Sequence, residues 1–308
     1  MEKNQSSSLQ STLKSGDTEE WIDILFYRRL GFAVAKISAR LGIRPNTITI
    51  ISIFWGVLAG HLYYYNDLYM NILGIISLII ANTLDSADGQ LARMTNDKTQ
   101  LGRILDGLAG NFWFVSIYLH LALRFTNEGY GLWIWILFGV TGLCHIFQAA
   151  IADYYRNAHL YFLKGETGSE FHTSRQVREQ LKNLSWSKNF GMKLFTYSYL
   201  NYTLEQELFT GKLKKLTEAV RLRGFDQLPE GFREQFRQEN KSLMKYTNIL
   251  TFNTRAVVLW VSLLTFFPLA YWIFELTVLN AILLYMITKQ EQISGKYLTR
   301  LSSLKTRP

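Results

Sequence analysis

The sequence predicts an all-α polytopic membrane protein, on three observations. The 308 residues are 48% hydrophobic and 15% aromatic, more apolar than a soluble domain of that length ordinarily is. The apolar residues gather into six segments, near 46–65, 69–92, 104–124, 131–154, 247–267 and 270–288, each close to the ~20 residues a helix needs to cross a bilayer. Lys and Arg fall on alternate connections between those segments, as expected when one side of the membrane retains the positive loops.

Residues 1–16 are rich in Ser, Lys and Gln and read as a disordered tail, with no apolar core of the signal-peptide kind in the first twenty residues. Asp17 and Glu20 mark a helix start. From there to Leu41 the stretch EEWIDILFYRRLGFAVAKISARL mixes large apolar side chains with Arg28, Arg29, Lys36 and Arg40. It is too charged to span, so residues 17–42 are expected to be an N-terminal amphipathic helix lying in the membrane interface. The alternative is an amphipathic helix packed on protein. Gly42 and Pro45 end it.

Residues 43–156 then hold the first four transmembrane spans and residues 246–288 the last two, with a turn near Pro268. Between them, residues 157–245 carry fifteen Lys/Arg and ten Asp/Glu. GKLKKLTEAVRLRGF and EGFREQFRQENKSLMKYT read as short amphipathic helices, so the region is expected to be a helical insert. SWSKNFGMKLFTYSYLNYTLEQELF is aromatic and suits packing on the membrane face, the interface or an oligomer contact.

The connections after spans one, three and five contain almost no Lys or Arg, with Arg124 the exception at a span end. The others contain Arg93, Lys98 and Arg103, then the insert, then Lys289, Lys296, Arg300, Lys305 and Arg307 in the tail 289–308. Both termini, the insert and the connection between spans two and three are therefore expected on the cytoplasmic side, in a bacterial inner membrane. The net charge of +9 is read as orientation and contact with anionic membrane lipid, with no nucleic-acid partner. Cys144 stands alone, which excludes a disulfide framework and suits an apolar filler.

The chemistry concentrates in LDSADGQLARMTNDKTQLGRILDGLAGN, residues 84–111. Carboxylates at the ends of membrane-length segments are costly and need a reason. Asp85 and Asp88 are three apart, on one side of a helix, and Gly102 and Asp106 are four apart. Three acids and several small residues make a hard-cation site, with oxygen ligands favouring Mg²⁺ or Mn²⁺ over zinc. Glycines beside them let a diphosphate approach the backbone.

The spacing Asp85-x-x-Asp88-Gly89-x-x-Ala92-Arg93, eight residues, Gly102-x-x-x-Asp106 resembles the signature of the CDP-alcohol phosphotransferases, also called CDP-alcohol phosphatidyltransferases. That pattern is D-x2-D-G-x2-A-R-x8-G-x3-D-x3-D, and seven of its eight fixed positions match. Arg44-Pro45-Asn46-Thr47 looks like the family's Pro-Asn start of the first membrane helix. The resemblance implies two divalent ions shared by Asp85, Asp88 and Asp106. It implies a CDP-alcohol donor held by Asn46, Gly89, Ala92, Arg93 and Gly102, with Lys98 as a weaker phosphate contact. It also implies an acceptor hydroxyl that attacks phosphorus as CMP leaves, and it leaves a homodimer open.

The final aspartate is missing. Position 110 is glycine and Asn111 comes one later. In the family that aspartate ligates metal and serves as the base, whereas an amide takes up no proton at useful pH. A one-residue π-bulge would bring Asn111 under Asp106. Three explanations stay open: Asn111 replaces a late aspartate, the enzyme natively lacks that base, or the protein binds nucleotide without turnover.

The resemblance implies phospholipid synthesis, with CDP-diacylglycerol and inositol or inositol phosphate favoured. A CDP-choline or CDP-ethanolamine donor with a lipid alcohol or ceramide acceptor is the alternative. A transporter with a polar helix pair at its core is a further class. Arg255, inside span five, should meet an anion and is expected to bind the acceptor, with Asn253 and Thr254 nearby. His145, Gln148, Ala149, Ala152 and Arg156 share one side of span four, where His145 reads as packing and Asp153 can pair with Arg156.

Overall fold

The computed structural model describes residues 16–97, 99–165, 171–186 and 189–303. The expected phosphate contact Lys98, nearly all of the expected tail 1–16, and Lys305 and Arg307 lie outside the described residues. Among the described residues the structure is helical, with no strand.

A π-helical turn, Asp23–Tyr27, leads into α1 (Arg28–Arg40). Then come α2 (Pro45–Leu62), α3 (Leu68–Thr95), α4 (Gln100–Asn127) and α5 (Trp133–Lys164). Next are α6 (Ser174–Lys182), α7 (Phe190–Leu208), α8 (Gly211–Arg223) and α9 (Phe232–Ile249). α10 (Phe252–Leu264), α11 (Leu269–Phe274), a second π-helical turn at Glu275–Leu279 and α12 (Asn280–Ser303) complete the chain.

Among the described residues, five helical runs are long and apolar enough to cross a membrane: Pro45–Leu62, Leu68–Thr95, Trp133–Lys164, Phe232–Leu264 and Leu269–Ser303. The third expected span, α4, has 28 residues, about 42 Å at 1.5 Å per residue. Asn111, His120 and Arg124 make it more polar, and it is not among the five. The chain is an all-α polytopic membrane protein. It divides into two compact units, Met1–Leu143 with Ala256–Phe274, and Cys144–Arg255 with Glu275–Pro308.

In the first unit, α2 packs on both α3 and α4, and α1 packs on α3. Small residues set the α2–α4 approach. A Cβ at Gly56 would stand 2.0 Å from Trp113 Cδ1, and one at Gly60 would stand 2.4 Å from Ser116 Oγ. Gly56→Ala should therefore lower stability by about 1–3 kcal/mol, the usual cost of overpacking, measured as a reduced thermal midpoint in detergent.

α1 buries Gly31, Ala35 and Ser38 against α3. A Cβ at Gly31 would lie 3.0 Å from Ser86 Oγ, and Ala35 packs with Ile48, Ala87 and Leu91. Trp21, Phe26, Leu30, Ile37 and Leu41 stay exposed. The N-terminal segment thus packs one face on α3. Its other face remains apolar and open, as interfacial binding requires.

In the second unit, α5 continues to Lys164, past the end of its apolar run near 154. The extra turns exist because their aromatic side chains find partners. Phe162 packs on Phe236 with ring centroids 4.0 Å apart, and Tyr161 packs on Phe171 and Phe225. Arg233 donates to the Phe162 and Leu163 carbonyls, satisfying two of the orphan acceptors at the helix end. Gly165, at φ +81°, turns the chain out.

α8 and α9 pack on α12, and α6 packs on α7. Glu291 of α12 accepts from the Lys212 and Leu213 amides at the start of α8. Glu207 accepts from the Ser174 amide and pairs with Lys214. Glu291 thus caps α8, which lacks a local side-chain cap, whereas Glu207 adds to the Thr173–Gln176 capping box that starts α6.

Candidate metal and nucleotide site

Asp67 caps the start of α3 through the Met70 amide, and Asn96 ends the helix in the left-handed region at φ 55°. Thr99 then caps α4 by accepting from the Gly102 amide at 2.9 Å. This short, capped connection brings the last turns of α3 beside the first turns of α4. As a result Asp85, Asp88 and Asp106 converge, each with a carboxylate oxygen within 4.8 Å of the others'.

Asp88 is buried, Asp85 half-buried and Asp106 exposed. Thr49 of α2 donates its hydroxyl to Asp88 Oδ2, which fixes that carboxylate from a third helix. Oxygens sharing one Mg²⁺ or Mn²⁺ at roughly 2.1 Å stand no more than about 4.2 Å apart. Small side-chain rotations would therefore let the three carboxylates share an ion. Three like charges this close repel, so an all-oxygen donor set fits a hard divalent cation.

Arg93 lies along α3 with its guanidinium about 3.5 Å from where a Gly89 Cβ would be. Its Nε and one terminal nitrogen are buried without a hydrogen-bond partner. Buried guanidinium donors left unpaired are costly, and two of them beside the carboxylates suit a phosphate. Gly107 and Gly110 have open space where a side chain would begin, and Ala92 is half-buried.

Asn46 and Gly102 have a different local arrangement. Asn46 Oδ1 accepts from Thr99 Oγ1 at 3.1 Å and would stand 2.6 Å from a Cβ at Gly102. These residues lock the start of α2 to the start of α4, and Gly102 is glycine because Asn46 occupies the space. Both residues, expected to touch substrate, make a packing contact that shapes the site.

A family model, CDP-alcohol phosphatidyltransferase, matches residues 43–164, the part of the chain that builds this cluster. Residues 43–164 are similar to a CDP-alcohol phosphatidyltransferase domain. The family comprises transferases that are generally dependent on divalent metal. The chain is similar to archaetidylinositol phosphate synthase of Pyrococcus horikoshii, 37% identical over 90 residues, covering 29% of this chain and 46% of that protein. It is also similar to an uncharacterized protein of Aquifex aeolicus, 28% identical over 104 residues, covering 34% of this chain and 52% of that protein. The chain thus spans about half the length of the curated relatives it matches.

Two residues singled out in the sequence, Asn111 and Arg255, lie apart from the three carboxylates. α4 is α-helical throughout, without a π-bulge. Five residues on, Asn111 is rotated about 140° from Asp106. It is exposed and its amide reaches back to the Gly107 carbonyl at 3.5 Å. Gly110 is the residue on Asp106's face.

Arg255 also meets a different anion, the carboxylate of Glu275 in the second unit. Its other donors go to Gln148 Oε1 at 2.6 Å and the Leu250 carbonyl at 3.1 Å, and His145 Nδ1 lies 3.0 Å from both the guanidinium and the Glu275 carboxylate. It is 1% exposed, and the anion it meets here is an internal carboxylate. Asn253 is buried too. Arg156 donates to Asn248 at 3.3 Å.

Thr49 is the contact that sequence reasoning missed. Its signal was weak, since a lone Thr in a span usually bonds its own helix, and Thr49 does also reach the Pro45 carbonyl.

Proposed function

We propose that the protein transfers a substituted phosphate from a CDP-alcohol to an acceptor alcohol in phospholipid synthesis, releasing CMP. The carrying observation is the convergence of Asp85, Asp88 and Asp106 beside the unpaired donors of Arg93. Asp85, Asp88 and Asp106 would hold Mg²⁺ or Mn²⁺, as two ions in the full assembly. The bound metal supplies charge neutralisation of the diphosphate and of the leaving oxygen.

Thr49 keeps the Asp88 carboxylate oriented, and Arg93 binds diphosphate oxygens. Gly89, Ala92 and the open faces at Gly107 and Gly110 admit the nucleotide. The acceptor oxygen forms its bond to phosphorus as the bond to CMP breaks. With glycine at 110, the hydroxyl proton passes to water. The site faces the cytoplasm, where cytidine nucleotides are made. CDP-diacylglycerol with inositol or inositol phosphate is the favoured pair, in keeping with the similarity to the Pyrococcus archaetidylinositol phosphate synthase.

CMP release from CDP-diacylglycerol, with inositol or inositol 1-phosphate and Mg²⁺ or Mn²⁺, tests this directly. The aspartate missing at Gly110 favours one second reading, a protein that binds CDP-alcohol and metal without turnover. Metal-dependent CDP binding with no CMP release from any CDP-alcohol would establish that reading and overturn the first. Because Gly110 shares Asp106's face and has room, Gly110→Asp should raise CMP release at least ~100-fold, the low end for a positioned base. Asn111→Asp, aimed elsewhere on the helix, should give little.

A further inference from the structure

The first unit contains a second cluster of ligand-type side chains, away from the carboxylates, that the transferase reading does not use. Gly60 lets α2 approach α4 so closely that its Cβ position falls 2.7 Å from the Ile117 amide. Ser116 Oγ seals the contact by donating to the Val57 carbonyl at 2.9 Å. One residue beyond Gly60, and one turn beyond Ser116, the rings of His61 and His120 meet. His61 Nδ1 is 3.4 Å from His120 Nε2, with ring planes at 83°.

The hydrogen bonds fix the tautomers. His120 Nδ1 is 2.8 Å from the Ser116 carbonyl, which can only accept, so His120 Nδ1 carries the proton. In the neutral ring Nε2 is then the lone-pair nitrogen, and His61 Nδ1–H donates to it. His61 Nε2 is left with a lone pair and no partner among the described residues, on a side chain that is exposed.

This is the arrangement a metal-binding histidine adopts. Its remote N–H is held by a backbone carbonyl, which orients the ring and makes the ligating nitrogen more basic. Two imidazole nitrogens on one tetrahedral Zn²⁺, each at roughly 2.0–2.1 Å, stand about 3.3–3.4 Å apart. The observed separation is 3.4 Å. Arg124, one turn further along α4, is paired with Glu128 at 3.1 Å, so its charge is neutralised.

We propose that His61 and His120 form a two-imidazole site for a borderline divalent ion of the Zn²⁺ type. The ion takes the place of the proton between the rings, His61 shifts its proton from Nδ1 to Nε2, and water completes the coordination. Nitrogen ligands separate this site from the hard-cation cluster by ligand chemistry. The bound ion would staple α2 to α4 at the end away from the carboxylates.

The test uses the full chain in detergent, purified without a histidine tag, with Cu²⁺ and Zn²⁺ as probes. Cu²⁺ at one equivalent should show hyperfine coupling to two imidazole nitrogens in its EPR spectrum. His61→Ala, at an exposed position that leaves the fold intact, should remove that coupling and weaken Zn²⁺ binding at least ~10-fold. Asp85→Asn should leave both unchanged. A Cu²⁺ spectrum without two-nitrogen coupling, or Zn²⁺ binding indifferent to His61→Ala, would overturn the proposal. His120→Gln, which keeps a polar group near Ser116, repeats the test from the other helix.

Discussion

Asp88→Asn should reduce CMP release by at least ~100-fold while leaving the metal-free protein as stable as the wild type or more so. Asp88 is the buried member of the carboxylate cluster and takes the Thr49 hydroxyl. An asparagine keeps its shape but removes a charge that would balance the metal and, through it, the diphosphate. Losses of about 100- to 1,000-fold are typical when one electrostatic partner of the transition state is removed. In the metal-free protein the same charge repels Asp85 and Asp106 within 4.8 Å, so removing it relieves repulsion. The opposite signs of the two effects are the diagnostic, since sites built for function are often unfavourable for folding. Initial rates with Mn²⁺ and melting curves in EDTA measure both. A variant that loses activity and stability together would point to a structural role for Asp88.

Arg255→Ala should cost about 3–5 kcal/mol of stability, the usual penalty for leaving one member of a buried ion pair uncompensated. Glu275 is fully buried and would lose its cationic partner. Gln148 would lose a partner as well, while still donating to the Glu275 carbonyl and to Asn280 Oδ1 at 2.7 Å. The double variant Arg255→Met with Glu275→Leu should recover most of the loss, because apolar replacement of a whole buried pair is often neutral. Equilibrium unfolding in mixed detergent micelles, comparing the single and double variants, checks this. If the double variant is no better than Arg255→Ala, the pair is not the unit that matters.

The acidic cluster was legible because its logic is local. Three-residue spacing places Asp85 and Asp88 together on any helix, and Asp106 needs only a short connection to return beside them. Position 111 was misread for a related reason. Bringing Asn111 under Asp106 required a bulge, and nothing in α4 forces one. Thr49 and Asn46 act through contacts 39 and 53 residues distant in sequence, and such pairings leave no periodic trace. For Arg255 the sequence showed that a span arginine must find an anion, but not which one. Glu275 begins a π-helical turn, and apolar periodicity gives no warning of that irregularity. The ends of the insert were blurred because aromatic packing prolongs α5 well beyond its apolar run.

The connection at Asn96 and Thr99 has a thermodynamic consequence. Both ends are capped and the carboxylates ride on finished helices, so loading an ion requires no chain ordering. The heat of Mn²⁺ binding should then hold dehydration, ligation and displaced protons, with no contribution from helix formation. Stripping the ion with a chelator should leave the far-ultraviolet dichroism untouched.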